Sequence, residues 1–378
     1  MLSKDSDSSL QWVAGIYWRD QSVDLLRTRI NNYANGDFYG EPNPTVLDLY
    51  ASEYQTENVA LYGQVDYAFN EHWSVVTGLR YENYKADFVD NAGAEFSPGE
   101  DNWGGKLALE YRTGNDMLIY GLISRGYKVG GFNPEPNVNV VDRNFDTESM
   151  LNYEAGIKSS WFEQQVDLRF AVFLQERDDV QVKQSRADFV EEGSPPTFVE
   201  FIANAAEGVN YGVEAEVNWQ ATDQINIFAS VGLLETEYKD FVNASHVDRN
   251  QETGEGYDMD GREQAHAPSY QYFAGAQYDF SDAFFARLEF EGKDAFYFSS
   301  SHNKQSEDYH LINLLGGYQM GDWLATLWVK NITDETVETR GFFFTNEDGN
   351  DPRKFYAPET YTQKGAPRTF GVTLAYEF

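Results

Sequence analysis

The segment Ser124-Arg125-Gly126-Tyr127-Lys128 carries the side chains that are best suited to contact a ligand. Arg125 and Lys128 are cations, and an arginine guanidinium can form two parallel hydrogen bonds with an anionic group. Tyr127 adds a ring and a hydroxyl between them. Two interpretations stay open: these side chains contact an anionic ligand, or they form ion pairs that balance neighbouring acidic residues.

No other segment predicts a metal site or a reactive group. Asp258-Met259-Asp260-Gly261 and Glu347-Asp348-Gly349-Asn350-Asp351 resemble calcium loops, but neither completes the twelve-residue pattern with its closing Glu. The five histidines are scattered, although His246 and His266 could share a loop. The chain has no nucleophile elbow, zincin motif or phosphate loop. We therefore predict no catalytic residue, metal or cofactor, and the protein is not expected to be an enzyme.

The composition favours a membrane barrel over a soluble protein. The 378 residues include 62 acidic and 28 basic side chains, with a net charge of −34, which argues against nucleic acid as a partner. No apolar run approaches the roughly 18 residues of a transmembrane helix. Cysteine is absent, so disulfides and thiolate metal sites are excluded. Because 16% of the residues are nevertheless aromatic, a barrel with a lipid-facing outside and a wet interior is favoured; a soluble β-sandwich or propeller is the alternative.

Alternating side chains predict the strands that must position these residues. In the last nine residues, Phe370, Val372, Leu374, Tyr376 and Phe378 share one face, and the other face is small or polar. The same alternation recurs along the whole chain beside short turns. Aromatic residues cluster near those turns, where an interfacial girdle would lie: Phe69, Trp73, Tyr111, Trp161, Trp219, Phe280, Phe284, Tyr318 and Trp323.

Short turns alternate with long polar connections, as in outer-membrane barrels. The long connections are expected around residues 29–54, 87–101, 131–147, 186–196, 241–264 and 341–363, and only the one near 301–306 is brief. About fourteen strands are expected, starting near residues 9, 55, 73, 102, 116, 148, 165, 198, 224, 265, 283, 305, 323 and 365. We predict an all-β protein that forms a transmembrane antiparallel β-barrel, with residues 1–378 as a single domain.

Four segments resemble the C-terminal part of the barrel of TonB-dependent outer-membrane receptors, and most of all its siderophore-receptor-like branch. Ile119–Asn133 is similar to the family's strand that runs into Ser-Arg-Gly-Tyr-Lys and Gly-Gly-Phe-Asn. Asn152–Ser159 resembles the Asn-Tyr-Glu-x-Gly-x-Lys strand, Val329–Asp334 the penultimate strand, and Pro367–Phe378 the closing strand. Together, in this order, they cover nearly the whole chain.

The resemblance implies a receptor in the outer membrane of a Gram-negative bacterium. Its expected cargo is a scarce nutrient, most of all a ferric siderophore or similar iron chelate, taken up with energy from the TonB system. Family barrels have 22 strands and enclose an N-terminal plug domain; the signal peptide, the TonB box, the plug and roughly the first eight strands are expected to be absent here, as in a fragment. The implied partners are outer-membrane lipid, the chelate and, through a plug, the TonB complex. Arg125, Tyr127 and Lys128 become candidate contacts for the chelate or the plug.

Gly371, Leu374, Tyr376 and Phe378 resemble the terminal signal by which the outer-membrane barrel assembly machinery recognises its substrates. The physical reason is that an edge strand with a regular apolar face can be paired before the barrel closes. The alternative is that these residues only form the last lipid-facing strand. Two other functions stay open: a passive porin-like channel of about fourteen strands and a membrane-anchored hydrolase.

Overall fold

A computed structural model describes residues 2–3, 9–31, 45–113, 117–135, 137–139, 142–188, 197–204, 207–250, 253–345 and 358–377. These residues form strands, turns and loops. Within them, no helix has both the length and the apolar character needed to cross a membrane.

The strands differ greatly in length, and the long ones form one sheet. In chain order they are β1 (Leu2–Ser3), β2 (Leu10–Asn31), β3 (Thr45–Ala68), β4 (Trp73–Asp90), β5 (Glu95–Phe96), β6 (Gly99–Arg112), β7 (Met117–Lys128), β8 (Gly131–Phe132), β9 (Asn144–Phe145), β10 (Glu148–Trp161), β11 (Val166–Asp178), β12 (Gln181–Asp188), β13 (Thr197–Asn204), β14 (Glu207–Thr222), β15 (Ile225–Lys239), β16 (Val242–Asn243), β17 (Tyr257–Asp258), β18 (Tyr270–Ser281), β19 (Phe284–Lys293), β20 (Tyr309–Met320), β21 (Trp323–Lys330), β22 (Glu338–Thr345), β23 (Pro358–Lys364) and β24 (Thr369–Tyr376).

Fourteen long strands pair in the order β2-β3-β4-β6-β7-β10-β11-β14-β15-β18-β19-β20-β21-β24. Each neighbouring pair is antiparallel, and the register follows the chain without a crossover. The predicted all-β class and the count of about fourteen strands are therefore confirmed. The fourteen strands do not test the expectation of 22 strands for a complete barrel.

The sheet is open along one seam. β2 and β24 are its two ends, and among the described residues no ladder joins them. At the outer edge of β2 lies only β1, which pairs Leu2 with Ala14 and Ser3 with Val13.

Apolar side chains on one face of the sheet are exposed. On β24, Phe370 is 81% exposed, Val372 63% and Leu374 65%. On β11 the alternate residues from Val166 to Leu174 are exposed or half-exposed, over about 27 Å of a tilted strand. A soluble sandwich would bury such a face under a second layer, whereas the apolar band of a membrane barrel is about 25 Å tall. The exposed apolar face therefore favours the membrane barrel.

The two buried clusters lie mainly in the connections, and only Tyr238 comes from the end of a wall strand, β15. One cluster joins Val180, Val182, Tyr238, Phe241 and Met259. A second cluster joins Val138, Val199 and Phe201. The long connections are thus packed structures with small cores of their own.

Several expected boundaries are wrong at the end of the barrel that carries the long connections. Of the residues described within the loop expected over 29–54, all are strand, because β2 continues to Asn31 and β3 begins at Thr45. The strand expected near residue 198 is the hairpin strand β13, and the next wall strand begins at Glu207. The brief connection expected near residues 301–306 spans residues 294–308. Above the membrane both faces of a strand are wet, so side-chain alternation fades while the backbone ladder continues.

Candidate ligand-binding site at the loop end of the barrel

Four connections converge on one cavity of about 930 Å³ at the end of the barrel that carries the long connections. They are the β12–β13 hairpin, the β15–β18 connection, the β19–β20 connection and the β22–β23 hairpin, and the β7–β10 connection adds Glu135 to the lining. The lining combines cations, hydroxyls, amides and rings. It includes Arg177, Lys183, Gln184, Ser185, Tyr238, Arg249, Gln264, His266, Phe298, Ser299, Ser300, Ser301, His302, Arg340 and Phe342, with Glu135 and Glu200 as its carboxylates.

The lining charge is opposite in sign to that of the whole chain. Four lysines and arginines line the cavity against two glutamates, in a protein of net charge −34. Two of these cations are paired with acids, since Arg177 Nε donates to Glu148 Oε1 at 2.9 Å and Lys183 lies 2.7 Å from Glu200.

The other two cations contact neutral groups. Arg249 Nη1 donates to the His246 carbonyl at 3.1 Å, and the Arg340 guanidinium lies 5.7 Å from the Phe342 ring centroid. Within the described residues, no ion pair links either guanidinium to a carboxylate, so an entering anion would meet two cations there. Such an anion would gain charge-assisted hydrogen bonds there.

The short segment Ser299–His302 in the β19–β20 connection organises the cavity floor. Asn243 Nδ2 donates to the Ser300 carbonyl at 2.8 Å, and the Val247 amide donates to the Ser301 carbonyl at 2.9 Å. From the other side, Ser300 Oγ donates to the Lys183 carbonyl at 3.2 Å. Small hydroxyl side chains allow this close approach of three connections.

A second concavity of about 570 Å³ lies on the inner wall, between β7 and β20. Its charged lining is mainly acidic, with Glu154, Glu214, Glu216 and Glu291 beside Lys158, Arg169 and Lys293. Tyr120 donates its hydroxyl proton to Glu154 at 2.7 Å, and Arg169 lies 3.2 Å from Glu216. The lining of the loop-end cavity is therefore net cationic, whereas this inner-wall lining carries one more carboxylate than cations.

The structure does not bring the three predicted contacts together. Arg125 Nη1 donates to the Trp103 carbonyl, and its guanidinium lies 4.5 Å from the ring of Trp103, which is exposed on the apolar face. Tyr127 instead donates to Glu82 at 2.9 Å and accepts from Arg80 Nε at 3.2 Å. Lys128 is exposed at the end of β7. None of the three is among the residues that line the loop-end cavity.

The acidic turn predicted at Asp258–Gly261 uses its carboxylates to hold backbone amides. Asp258 Oδ1 accepts from the Asp260 amide at 2.9 Å, and Asp260 Oδ1 accepts from the Phe241 amide at 2.8 Å. In the part of the chain that the structure describes, no group of three or more His, Asp or Glu is arranged to hold a metal ion. Residues 347–351 lie outside that part.

His246 and His266 share the β15–β18 connection, as the sequence suggests, but their surroundings could not be predicted from it. His246 and His302 are fully or almost fully buried next to Arg262, a residue with no motif around it. The guanidinium of Arg262 lies 4.0 Å from the Tyr297 ring, and Nη2 donates to the Ser299 carbonyl. Sequence spacing carries no signal for this cluster.

Gly371, Leu374 and Tyr376 lie on the terminal strand β24, and Phe378 lies outside the described residues. Leu374 and Tyr376 are exposed on the apolar face, where they are 65% and 43% accessible. Gly371 is on the other face, where a Cβ would meet the Trp328 ring.

A family model described as "TonB dependent receptor-like, beta-barrel" matches residues 2–332. Among curated proteins, the chain is 25% identical over 185 residues to the pesticin receptor of Yersinia enterocolitica, covering 47% of this chain and 26% of that receptor. It is 23% identical over 330 residues to the ferric-pyoverdine 358 receptor of Pseudomonas putida, covering 80% of this chain and 33% of that receptor.

Solved structures show the same fold. The ferric yersiniabactin uptake receptor FyuA from Yersinia pestis matches with a TM-score of 0.76 and 17% identity, over 100% of this chain and 52% of that one. The siderophore receptor PiuA from Acinetobacter baumannii matches with a TM-score of 0.72 and 16% identity, over 98% of this chain and 54% of that one. The chain thus spans about half the length of these structures and a smaller share of the curated relatives.

Proposed function

Because this chain belongs to the TonB-dependent receptor-like β-barrel family, we propose that it forms part of an outer-membrane receptor that takes up a ferric siderophore or a similar anionic iron chelate. The whole receptor would draw its energy from the TonB system through a plug domain. Two of the relatives are named for ferric pyoverdine and ferric yersiniabactin. The proposed location is the outer membrane of a Gram-negative bacterium.

One observation supports this cargo class: the loop-end cavity is cationic and aromatic in a strongly acidic chain. A size near 930 Å³ suits a chelate larger than a single metabolite. Arg249 and Arg340 offer guanidinium groups for anionic oxygens, and Phe298 and Phe342 offer rings for the organic part.

The test is binding of purified ferric siderophores to the full receptor, followed by growth of a receptor-gene deletion strain on the same compounds as iron sources. We expect the double variant Arg249→Gln/Arg340→Gln to weaken binding of the preferred chelate about tenfold or more, because each lost charge-assisted hydrogen bond is worth roughly 1.5–3 kcal/mol. Lys239→Gln is the matched control, since Lys239 pairs with Glu237 at 3.2 Å away from the cavity lining.

The proposal would be abandoned if no ferric chelate bound or supported growth through the receptor. It would also lose its structural basis if Lys239→Gln and the double variant weakened binding equally. In that case the effect would come from net charge and not from the cavity.

A passive porin-like channel of about fourteen strands is the weaker candidate. Such a channel requires pairing between β2 and β24, and the described residues contain no such ladder. Single-channel conductance of the reconstituted chain would distinguish the two functions, because a porin conducts steadily without an energy source. For the hydrolase alternative, the family membership favours a receptor, and we infer that the chain is not an enzyme.

Some finer roles are part of the same proposal. Tyr127 and Lys128 are proposed contacts for the chelate or the plug, whereas the Trp103 contact of Arg125 on the apolar face favours an interfacial role for that residue. Gly371, Leu374, Tyr376 and Phe378 are proposed as the signal for the barrel assembly machinery. The exposed apolar side chains are proposed to contact outer-membrane lipid.

A further inference from the structure

Two buried histidines lie where the connections around the cavity are tied together. His246 is 0% exposed in the β15–β18 connection, and its ring stacks on Tyr257 with centroids 4.0 Å apart. His302 is 3% exposed in the β19–β20 connection, within the segment that forms the cavity floor. The same two connections are joined by hydrogen bonds: Asn243 and Val247, in the β15–β18 connection, donate to the carbonyls of Ser300 and Ser301 in the β19–β20 connection.

Each ring accepts a hydrogen bond at Nδ1 that requires the imidazole to be neutral. The Asp248 amide donates to His246 Nδ1 at 3.1 Å, and the Lys304 amide donates to His302 Nδ1 at 3.3 Å. A ring nitrogen accepts a hydrogen bond only while it carries no proton. Protonation at Nδ1 would therefore replace both of these hydrogen bonds with donor–donor repulsion.

The surroundings also disfavour a charged ring. Arg262 acts on both imidazoles as a nearby cation, and His246 and His302 act on each other. Asp248 is the acid that opposes them, at 3.9 Å from His246 Nδ1, but its side chain is 59% exposed and largely hydrated. Arg249, in the same connection as His246, is a further cation near that ring, whereas the hydrogen bonds of His246 with Asn303 and of His302 with the Gly341 backbone favour the charged rings. The two connections also carry the acids Glu255, Asp258, Asp260, Glu263, Asp294, Glu307 and Asp308, of which Glu263 acts on Arg262.

We propose that His246 and His302 form an acid-sensitive latch, which holds the β15–β18 and β19–β20 connections together over the cavity while both rings are neutral and releases them when the rings are protonated. The latch is a conformational device of the connections. The proposal is tested by measuring the distance between the two connections, and this measurement does not depend on which cargo the receptor binds.

The direction and pH range follow from linkage. Burial, then the charge of Arg262, lowers the pKa of His302 from 6.5 to about 4, and burial lowers that of His246. Above pH 6.5 the rings are neutral in both the closed and the released state, so pH has no effect. As the pH falls below 6.5, released rings take up protons and closed rings do not. The ratio of released to closed protein should then rise about tenfold per pH unit, to roughly 150-fold for His302 alone at pH 4.

This chain contains no cysteine, so a pair of spin labels can be placed in it without replacing any of its own residues that would react. We would introduce Glu255→Cys and Gln305→Cys, two exposed positions in the two connections, into the full receptor in lipid nanodiscs. Label distances would be measured at pH 7.5, 5.5 and 4. We expect one narrow distribution at pH 7.5 and a longer, broad population that grows at least tenfold between pH 6.5 and 4.

The matched variant is His246→Asn/His302→Asn, because an asparagine oxygen can accept the same amide two residues on but does not titrate. This variant should keep the narrow distribution at pH 4. His72→Asn, in a short turn at the other end of the barrel, should open like the unsubstituted protein. Opening of the Asn variant at the same pH, or no opening of the unsubstituted protein down to pH 4, would overturn the proposal.

A second measurement covers the case in which the double variant does not fold. The ring resonances of the five histidines can be titrated by NMR in the unsubstituted protein. We expect the rings of His246 and His302 to titrate well below pH 6.5, together with the change in label distance. Titration of both rings near pH 6.5, or with no accompanying distance change, would refute the latch.

Discussion

The cations of the loop-end cavity come from four separate elements. Arg177 ends β11, Lys183 is on β12, Arg249 lies in the β15–β18 connection and Arg340 is on β22. No spacing in the sequence relates them, because only the sheet order and the folding of the connections bring them together. By contrast, Arg125 and Lys128 are only three positions apart, and alternation along a strand places residues at this odd spacing on different faces. Sequence proximity was therefore a poor guide to a shared site.

At Gly371 we expect a steric effect that can be separated from recognition by the assembly machinery. A Cβ at this position would press into the Trp328 ring, whose Nε1 donates to Thr373 at 3.1 Å. Gly371→Ala should lower the free energy of unfolding by about 1–3 kcal/mol, the usual range for overpacking. Urea unfolding of the refolded receptor in detergent micelles would measure it.

Gly121→Ala is the control for Gly371→Ala, since a Cβ at Gly121 meets nothing within 4 Å. Equal losses for the two variants would contradict the steric explanation. The double variant Gly371→Ala/Trp328→Leu should regain stability. If that double variant still failed to assemble in cells, the glycine itself would be part of the assembly signal.

Hairpins extend from the connections at the loop end and shape the cavity. β12 pairs with β13, and β22 with β23, each as a two-stranded sheet separate from the barrel wall. An isolated two-stranded sheet is only marginally stable in water, so contacts at the base of each hairpin are needed to stabilise it. In the β22–β23 hairpin, Lys364 Nζ donates to Glu338 Oε1 at 2.6 Å, and Thr362 donates to the same oxygen at 2.9 Å.

The Glu338–Lys364 pair should make this hairpin sensitive to acid. The hydrogen bond from Lys364 holds the pKa of Glu338 below its ordinary value of 4.5. A lowered carboxyl pKa stabilises the folded hairpin above pH 4.5, and the stabilisation is lost as the pH falls through the lowered value. Lys364→Met should raise the Glu338 pKa, which an NMR titration of its carboxyl would report. Because Lys364 is half exposed, the loss of stability should be at most about 1 kcal/mol.

Lys239→Met serves as the control for this titration, because Lys239 pairs with Glu237 on another element. An unchanged Glu338 titration in Lys364→Met would show that the pair does not act as described. Amide exchange in residues 338–345 and 358–364 would show whether the hairpin itself loosens.

The wall strands were predictable and the connections were not, for a physical reason. Within the membrane, lipid on one side and water on the other impose strict alternation, so strands such as β4, expected from residue 73 and observed from Trp73, are read directly from the sequence. Beyond the membrane both faces are wet, and residues Thr45–Tyr54, which lie within the loop expected over 29–54, form the start of β3 and pair with β2. Conversely, the sequence of a hairpin strand such as β13 resembles that of a wall strand. The place of such a strand is decided by packing between connections that are distant in sequence.

The whole molecule separates two environments by a single layer of backbone. On β11, Phe170 and Val172 face outward and are 38% and 39% exposed, while Arg169 and Ala171 line the acidic concavity on the other face. The excess of acidic residues is compatible with the apolar outside because it is carried by the inner wall and the connections. Neighbouring residues of one strand therefore place their side chains in two different environments, lipid on one face and water on the other.

This separation predicts opposite responses to the same substitution at adjacent positions. Phe170→Arg, near the middle of the outward band, should lower stability in phospholipid bilayers by about 2–4 kcal/mol. Ala171→Arg should have little effect or be favourable, because Ala171 is paired with Glu214 across the inner face. Equilibrium unfolding of the refolded receptor from lipid vesicles would compare them. Equal destabilisation of both variants would contradict the assignment of faces.

The open seam sets the order of events during membrane insertion. Along β24 from Phe370 to Leu374, and along β2 from Ile16 to Leu26, the described residues place no further strand on the free side. Hydrocarbon offers no hydrogen-bonding partner, and each unsatisfied backbone group there costs several kcal/mol. A sheet with such unpaired edges would be unstable in the bilayer. Edge pairing and entry into lipid must therefore occur as one concerted step, and a delay between them would direct the free edges toward other chains and into aggregates.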